Sequence, residues 1–259
     1  MTSSNRRPWI AVAILAVTMT GLTPGAAHAV INGTASWLAS HTVQIVTRAG
    51  RTCSGVVIGR TAVATAAHCA GSGAKIFSGG APVTAASVSS SVVLEDGTRV
   101  SVSGDAAILR FTTPLPGFAS PVTIGLETAD GHFTVAGYGT TDEAHPGASG
   151  ALHEASLVRA GPRRLIDPYR TGPIGASACF GDSGGPVLQG SMLVGIVTRA
   201  SHTAPRIACG HLTHYAPIVR SAGATGSIAA TVQADAGQQV SSRRARTSPA
   251  VTIPIESLY

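Results

Sequence analysis

The sequence predicts an all-β protein built from many short antiparallel strands, a sandwich or barrel rather than a doubly wound sheet. Three observations carry that expectation. Short runs rich in Val, Ile and Thr, such as Thr42 to Thr47 and Leu193 to Thr198, alternate with turn residues from Val30 to about Ala224. The chain of 259 residues holds 31 Gly and 15 Pro, which punctuate those runs closely. Charged residues make up only 12% of the composition, and the abundance of Gly, Ser, Thr, Ala and Val suits a rigid β protein better than helices. All-β folds of this length commonly form one compact unit, so a multidomain reading is not required.

The first 29 residues differ in character. Arg6 and Arg7 precede an apolar run from Trp9 to Met19, then Gly21 and Pro24, then Ala27-His28-Ala29. A basic start, a short apolar stretch and small residues before a cut define a secretory signal, so residues 1–29 are expected to be a signal peptide and the protein extracellular. The paired arginines also fit a twin-arginine export signal. The apolar run is short for a bilayer span, and no later stretch is long enough, so no membrane span is expected.

Residues 30–224 are read as one folded domain. Tyr215 to Ala222 is assigned a short closing helix, with Pro217 limiting where it starts. From Thr225 the composition shifts to Ser, Ala, Gln and Gly, which suggests a flexible C-terminal tail to Tyr259. The formal charge of +6 falls to +4 without Arg6 and Arg7, and Arg243, Arg244 and Arg246 lie together in the tail. That distribution is no nucleic-acid footprint on a folded face.

Export permits disulfides, and Cys53, Cys69, Cys179 and Cys209 allow three pairings among which sequence does not choose. No C-x-x-C pair or Cys/His cluster has metal-ligand spacing, so neither a metal nor a cofactor is expected.

The segment ACFGDSGGP, Ala178 to Pro186, sets Ser183 between an aspartate and two glycines. It fits a sharp turn that exposes a nucleophile, and Gly181 to Gly185 also fits the G-x-S-x-G elbow of an α/β-hydrolase. A serine nucleophile needs a base, and the base an orienting acid. His68, in TAAHC, lies beside Cys69, which could tie it to Cys53; closing that loop is worth roughly 3 kcal/mol in the chain-entropy model. His41, His132, His145, His153 and His202 are read as ordinary structural or surface residues. Asp105, in GDAAILRF, begins an apolar strand and is expected to be buried against the imidazole. The bland reading of an aspartate there is a turn residue. The order His68, Asp105, Ser183 opposes the elbow, which runs Ser, acid, His.

With these residues in place the chain resembles the trypsin and chymotrypsin family of serine proteases from Val30 to about Ala222. VING (Val30 to Gly33) resembles the mature N-terminus, CSGVVIGRTAVATAAHC (Cys53 to Cys69) the histidine loop, GDAAILRF the aspartate segment and CFGDSGGPV the nucleophile segment. VAGYGTT, Val135 to Thr141, is a weaker match. The resemblance implies two packed antiparallel β-barrels with the site in the cleft between them. It implies Ser183 as nucleophile, His68 as general base and then acid, and Asp105 as the group that fixes the imidazole tautomer. The N–H groups of Gly181 and Ser183 would form the oxyanion hole, and Asp182 would pair with the α-amino group of Val30 released by cleavage after Ala29.

By the same resemblance Ser177 is the base of the primary specificity pocket, with Thr198, Ala200 and Gly210 around it and the Cys179–Cys209 disulfide framing it. An uncharged pocket with small walls favours cleavage after apolar or aromatic residues. Ala200 makes it shallower, Arg199 stands where the family commonly has Trp, and Phe180 lies at the mouth. Two disulfides and short loops resemble bacterial secreted members. The expected partners are protein or peptide substrates and protein inhibitors, and a monomer is expected. The alternatives are a non-catalytic binding protein on the same fold and an α/β-hydrolase esterase.

Overall fold

The computed structural model describes residues 29–71, 73–77, 82–129, 131–141, 143 and 150–221. The expected signal peptide, apart from Ala29, and the expected tail lie outside the described residues. The first ten strands are β1 (Thr34–Ala35), β2 (Thr42–Val46), β3 (Thr52–Gly59), β4 (Ala62–Thr65), β5 (Lys75–Phe77), β6 (Val83–Thr84), β7 (Ser87–Ser89), β8 (Ser91–Val93), β9 (Arg99–Val102) and β10 (Ala107–Arg110). Six more follow: β11 (His132–Gly137), β12 (His153–Arg159), β13 (Arg164–Ile166), β14 (Pro186–Gln189), β15 (Met192–Ser201) and β16 (Leu212–Ser221).

Antiparallel pairing gives two units. One sheet runs β6-β5-β2-β3-β4-β10-β7. In the other, β12-β11-β14-β15-β16 closes into a barrel because β13 pairs with both β16 and β12. Strands β9 and β8 extend from β16. This is the all-β, two-barrel architecture the sequence leads one to expect.

Strand periodicity explains the packing. Along β3, Cys53 and Val57 face the core of the first unit with Val43, Ile45, Val63, Ile76 and Leu109. Val56 and Ile58, half a pleat away, join Ile108, Leu188, Leu193, Ile196 and Ile218 in the layer between the units. The second barrel encloses Phe133, Val135, Leu157, Leu165, Val187 and Tyr215. With both faces covered, β3 reads as a near-continuous apolar run.

The expected closing helix at Tyr215 to Ala222 is not formed; the chain is strand through Ser221, and Ala222 lies outside the described residues. Burial alternates over Leu212 to Tyr215, and cross-strand pairing with β15 and β9 carries the strand on to Ser221. Pro217 is tolerated because β16 changes partner there. Leu212 to His214 pair with β13, Ile218 to Ser221 pair with β9, and Pro217 falls between the two ladders.

Candidate active site

Three backbone arrangements bring the expected residues to one cleft. Ala107 of β10 is paired with Thr65 of β4, so the turn after β4 and the loop before β10 emerge at the same end. The 3-10 turn Ala67–Cys69 carries His68 there, and Asp105 lies two residues before β10. The Cys53–Cys69 disulfide anchors that turn to β3. Ser183 lies in the loop before β14, held from both sides: the Ser54 N–H donates to the Ser183 carbonyl at 2.8 Å and the Gly184 N–H donates to the Val197 carbonyl at 2.7 Å.

His68 Nδ1 and Asp105 Oδ2 are 2.7 Å apart, and the His68 N–H donates to Asp105 Oδ1 at 3.1 Å. The carboxylate therefore fixes both the backbone and the ring of the histidine, which leaves Nε2 as the basic nitrogen. Contrary to the expected burial, the Asp105 side chain is 43% exposed and that of His68 45%. Asp105 sits before the apolar part of the strand, and the covered residues begin only with Ala106. The Ser183 hydroxyl donates to the Thr198 carbonyl at 3.1 Å.

The neighbouring backbone is locked by glycines. Gly181 has φ of +99°, and a Cβ on it would lie 2.6 Å from the Gly139 Cα. Gly184 has φ of +91°, and a Cβ there would meet the Ser54 carbonyl at 2.0 Å. Among the described residues no protein acceptor meets the N–H of Gly181 or of Ser183, so both are available to an incoming oxyanion.

Asp182 is fully buried. Its Oδ1 accepts the Gly139 N–H at 2.9 Å and its Oδ2 the Cys179 N–H at 2.8 Å. Burial pushes its pKa up to about 7, against the opposing pull of Cys179, Gly139 and Val30 N–H groups. Val30 is buried beside it with φ of +60°, a rare conformation for a β-branched residue. The preceding Ala29 N–H donates to His153 Nδ1 at 2.8 Å.

The cleft, about 830 Å³, is lined by His68, Asp105, Gly181, Ser183, Thr198 and Ala200, with Ala208 and Cys209 forming a wall. Cys179 and Cys209 are disulfide-bonded as expected. Phe180, 52% exposed, borders the opening. Ser177 and Gly210 stand apart from this lining. Ser177 is fully buried, its hydroxyl donating to the Ala178 carbonyl at 2.8 Å and accepting the Gly210 N–H at 2.6 Å.

Two residues that sequence reasoning missed hold the backbone around the wall without lining the cleft themselves. Thr213, buried and paired across the strands with Ala200, accepts the Ala178 N–H on Oγ1 at 2.9 Å. Glu143 accepts the Ala208 N–H at 2.6 Å and the Cys209 N–H at 2.9 Å, one on each oxygen. Strand alternation through Tyr215 signals Thr213; no sequence signal marks Glu143. Cys53, His68 and Cys69 lie close together, but both thiols are spent in a disulfide and form no metal set. Among the described residues no helix is long and apolar enough to cross a membrane.

The family described as Trypsin matches residues 30–220. Serine protease SP24D of Anopheles gambiae is 29% identical over 179 residues, covering 60% of this chain and 65% of that protein, so the chain spans just under two thirds of that relative. Among solved structures, a scabies mite inactivated protease paralogue, S-D1, has a TM-score of 0.55 at 17% identity, over 71% of this chain and 92% of its own. Human heparin binding protein has a TM-score of 0.56 at 15% identity, over 72% and 91%. Neuropsin, a serine protease expressed in the limbic system of mouse brain, has 0.53 at 19% identity, over 71% and 94%. These structural likenesses carry the fold alone. All four are animal proteins, and they lend no support to the expected kinship with bacterial secreted members.

Proposed function

Because the chain belongs to the trypsin family, we propose that it is a secreted serine endopeptidase acting through Ser183, His68 and Asp105. The observation that carries this reading is the 2.7 Å contact between His68 Nδ1 and Asp105 in the cleft that also holds Ser183. Rotation about χ1 releases the Ser183 hydroxyl from Thr198 towards Nε2 of the imidazole. The imidazole takes the hydroxyl proton as Oγ attacks the scissile carbonyl, and Asp105 stabilises the resulting imidazolium. Gly181 and Ser183 N–H groups receive the developing oxyanion, each worth roughly 3 kcal/mol in the transition state. The imidazolium then returns the proton to the departing amine, and water releases the acyl group by the reverse sequence.

The uncharged walls at Thr198, Ala200 and Ala208 favour an apolar side chain before the cut. Ala200, with the buried Thr213 beside it across the strands, supports a shallow pocket that favours Leu or Met over larger rings. Cleavage after Ala29 by signal peptidase frees the Val30 ammonium to pair with Asp182, so no later activation step is needed. A monomer suffices, since every residue invoked lies on one chain, and protein inhibitors that present an extended loop are its natural antagonists.

The test is to incubate the secreted protein with a diverse peptide mixture and map the cut sites by mass spectrometry beside Ser183→Ala. Cuts after apolar residues that vanish in the variant are expected; cuts after Arg or Lys overturn the pocket assignment. A second reading, a binding protein on the same fold, is favoured by the Ser183 hydroxyl being turned to Thr198 and by the exposure of Asp105. Absence of cleavage by folded protein beginning at Val30 selects it.

A further inference from the structure

Two arginines in the cleft take no part in the chemistry above. Arg51 lies at the start of the β3 hairpin arm, where its N–H donates to Thr47 Oγ1 at 3.1 Å. Arg199 lies in β15, immediately after Thr198. Both are exposed and both line the cleft with Ser183. Their placement follows from how the nucleophile is held. The strand three residues beyond Arg51 donates the Ser54 N–H to the Ser183 carbonyl, and the residue before Arg199 accepts the Ser183 hydroxyl. Arg51 therefore precedes one strand that holds Ser183, and Arg199 lies on the other.

Among the described residues neither is paired with an acid. The ion pairs among the described residues are His68 with Asp105 and Arg159 with Glu127. Among the described residues Asp105 is the only acid lining the cleft, and the histidine occupies it. Glu143, behind the wall, spends both oxygens on backbone N–H groups. His214, opposite Arg199 in β16, offers it no negative partner: burial, then Arg199 and Arg164, holds its pKa below the ordinary value and keeps the imidazole neutral. A free guanidinium presents a planar fork that pairs with a carboxylate through two N–H bonds.

We propose that the cleft recognises acidic peptides, with Arg51 and Arg199 taking Asp or Glu side chains of the bound chain on either side of the residue seated at Ser183. This rests on reading the cleft as a peptide site and adds the class of sequence it prefers. It also assigns the departure at Arg199, where an aromatic residue is expected, a positive role: it replaces an apolar strand face with a charge-selective one.

The experiment measures binding, so that catalysis does not enter. Ser183→Ala protein is titrated into fluorescein-labelled peptides centred on Leu and flanked on both sides by Glu, or by Gln in the control, with anisotropy as readout. The Glu peptide is expected to bind about tenfold tighter, with each of Arg51→Gln and Arg199→Gln removing roughly threefold of the preference. Raising the salt from about 50 to about 500 mM should shrink it. Both arginines are exposed, so neither substitution threatens the fold. Equal binding of the two peptides, no binding of either, or a preference that survives in the double variant overturns the proposal. Wild-type protein that hydrolyses neither peptide while Ser183→Ala keeps the preference overturns the catalytic reading and leaves this one standing.

Discussion

Retaining Ala29 ahead of Val30 should leave the folded protein carrying two local penalties that a chain beginning at Val30 lacks. The first is the Asp182 carboxyl, fully buried with backbone N–H donors but, among the described residues, no cation. Its folded pKa is raised from 3.8 to about 7, so the folded state holds this proton more tightly than the unfolded one. No penalty exists below the unfolded value; it grows as pH rises from about 4 and is complete above about 7, where it reaches about 4 kcal/mol. The second is Val30 at φ of +60°, a conformation that costs of order 1–3 kcal/mol in a β-branched residue. Removing Ala29 abolishes both, since φ at a chain terminus opposes no preceding carbonyl and the new ammonium pairs with the carboxylate. The assay is urea unfolding of Ser183→Ala protein, with Ala29 retained or removed, at pH 4.0 and 7.5. The extended form should lose about 4 kcal/mol more than the short form between those pH values. Equal losses in the two forms refute the reasoning.

Three further outcomes are expected. Glu143→Ala removes the acceptor of two N–H groups behind the pocket wall and should raise KM for apolar substrates about tenfold with kcat little changed; steady-state kinetics checks this, and Glu143→Gln should recover part of it. Gly181→Ala combines φ of +99° with a Cβ 2.6 Å from Gly139 Cα, so the N–H proposed to receive the oxyanion moves and kcat should fall about 100-fold with KM nearly constant. Thr213→Ala orphans the buried Ala178 N–H and should destabilise by about 1–3 kcal/mol in urea unfolding.

The barrels were legible because strands covered on one face alternate and strands covered on both do not. β2 alternates; β3, whose two faces supply two cores, reads as an apolar run. Both patterns lie between turn residues, so the all-β expectation needed no tertiary information. The end of β16 was not legible. Proline and apolar residues over Tyr215 to Ala222 satisfy a short helix locally, and only the change of partner from β13 to β9 around Pro217 shows why a strand tolerates the missing N–H there.

The site divides along the same line. His68, Asp105 and Ser183 were singled out because their proposed chemistry constrains residue type and order, and the structure brings all three to one cleft. The pocket behind them is a matter of what fills space, which order in sequence does not record. Ser177 was assigned the pocket base by position, yet its hydroxyl is consumed by the Ala178 carbonyl and the Gly210 N–H. Thr213, four residues beyond the cysteine used to locate Gly210, fills the space beside Ala200 because the register pairs those two residues. Glu143 is more distant still, 65 residues before the Ala208 N–H it accepts. A long-range carboxylate of this kind leaves no local pattern, so the candidate triad of such a cleft can be read from motifs while the packing of its wall follows from pairing across strands.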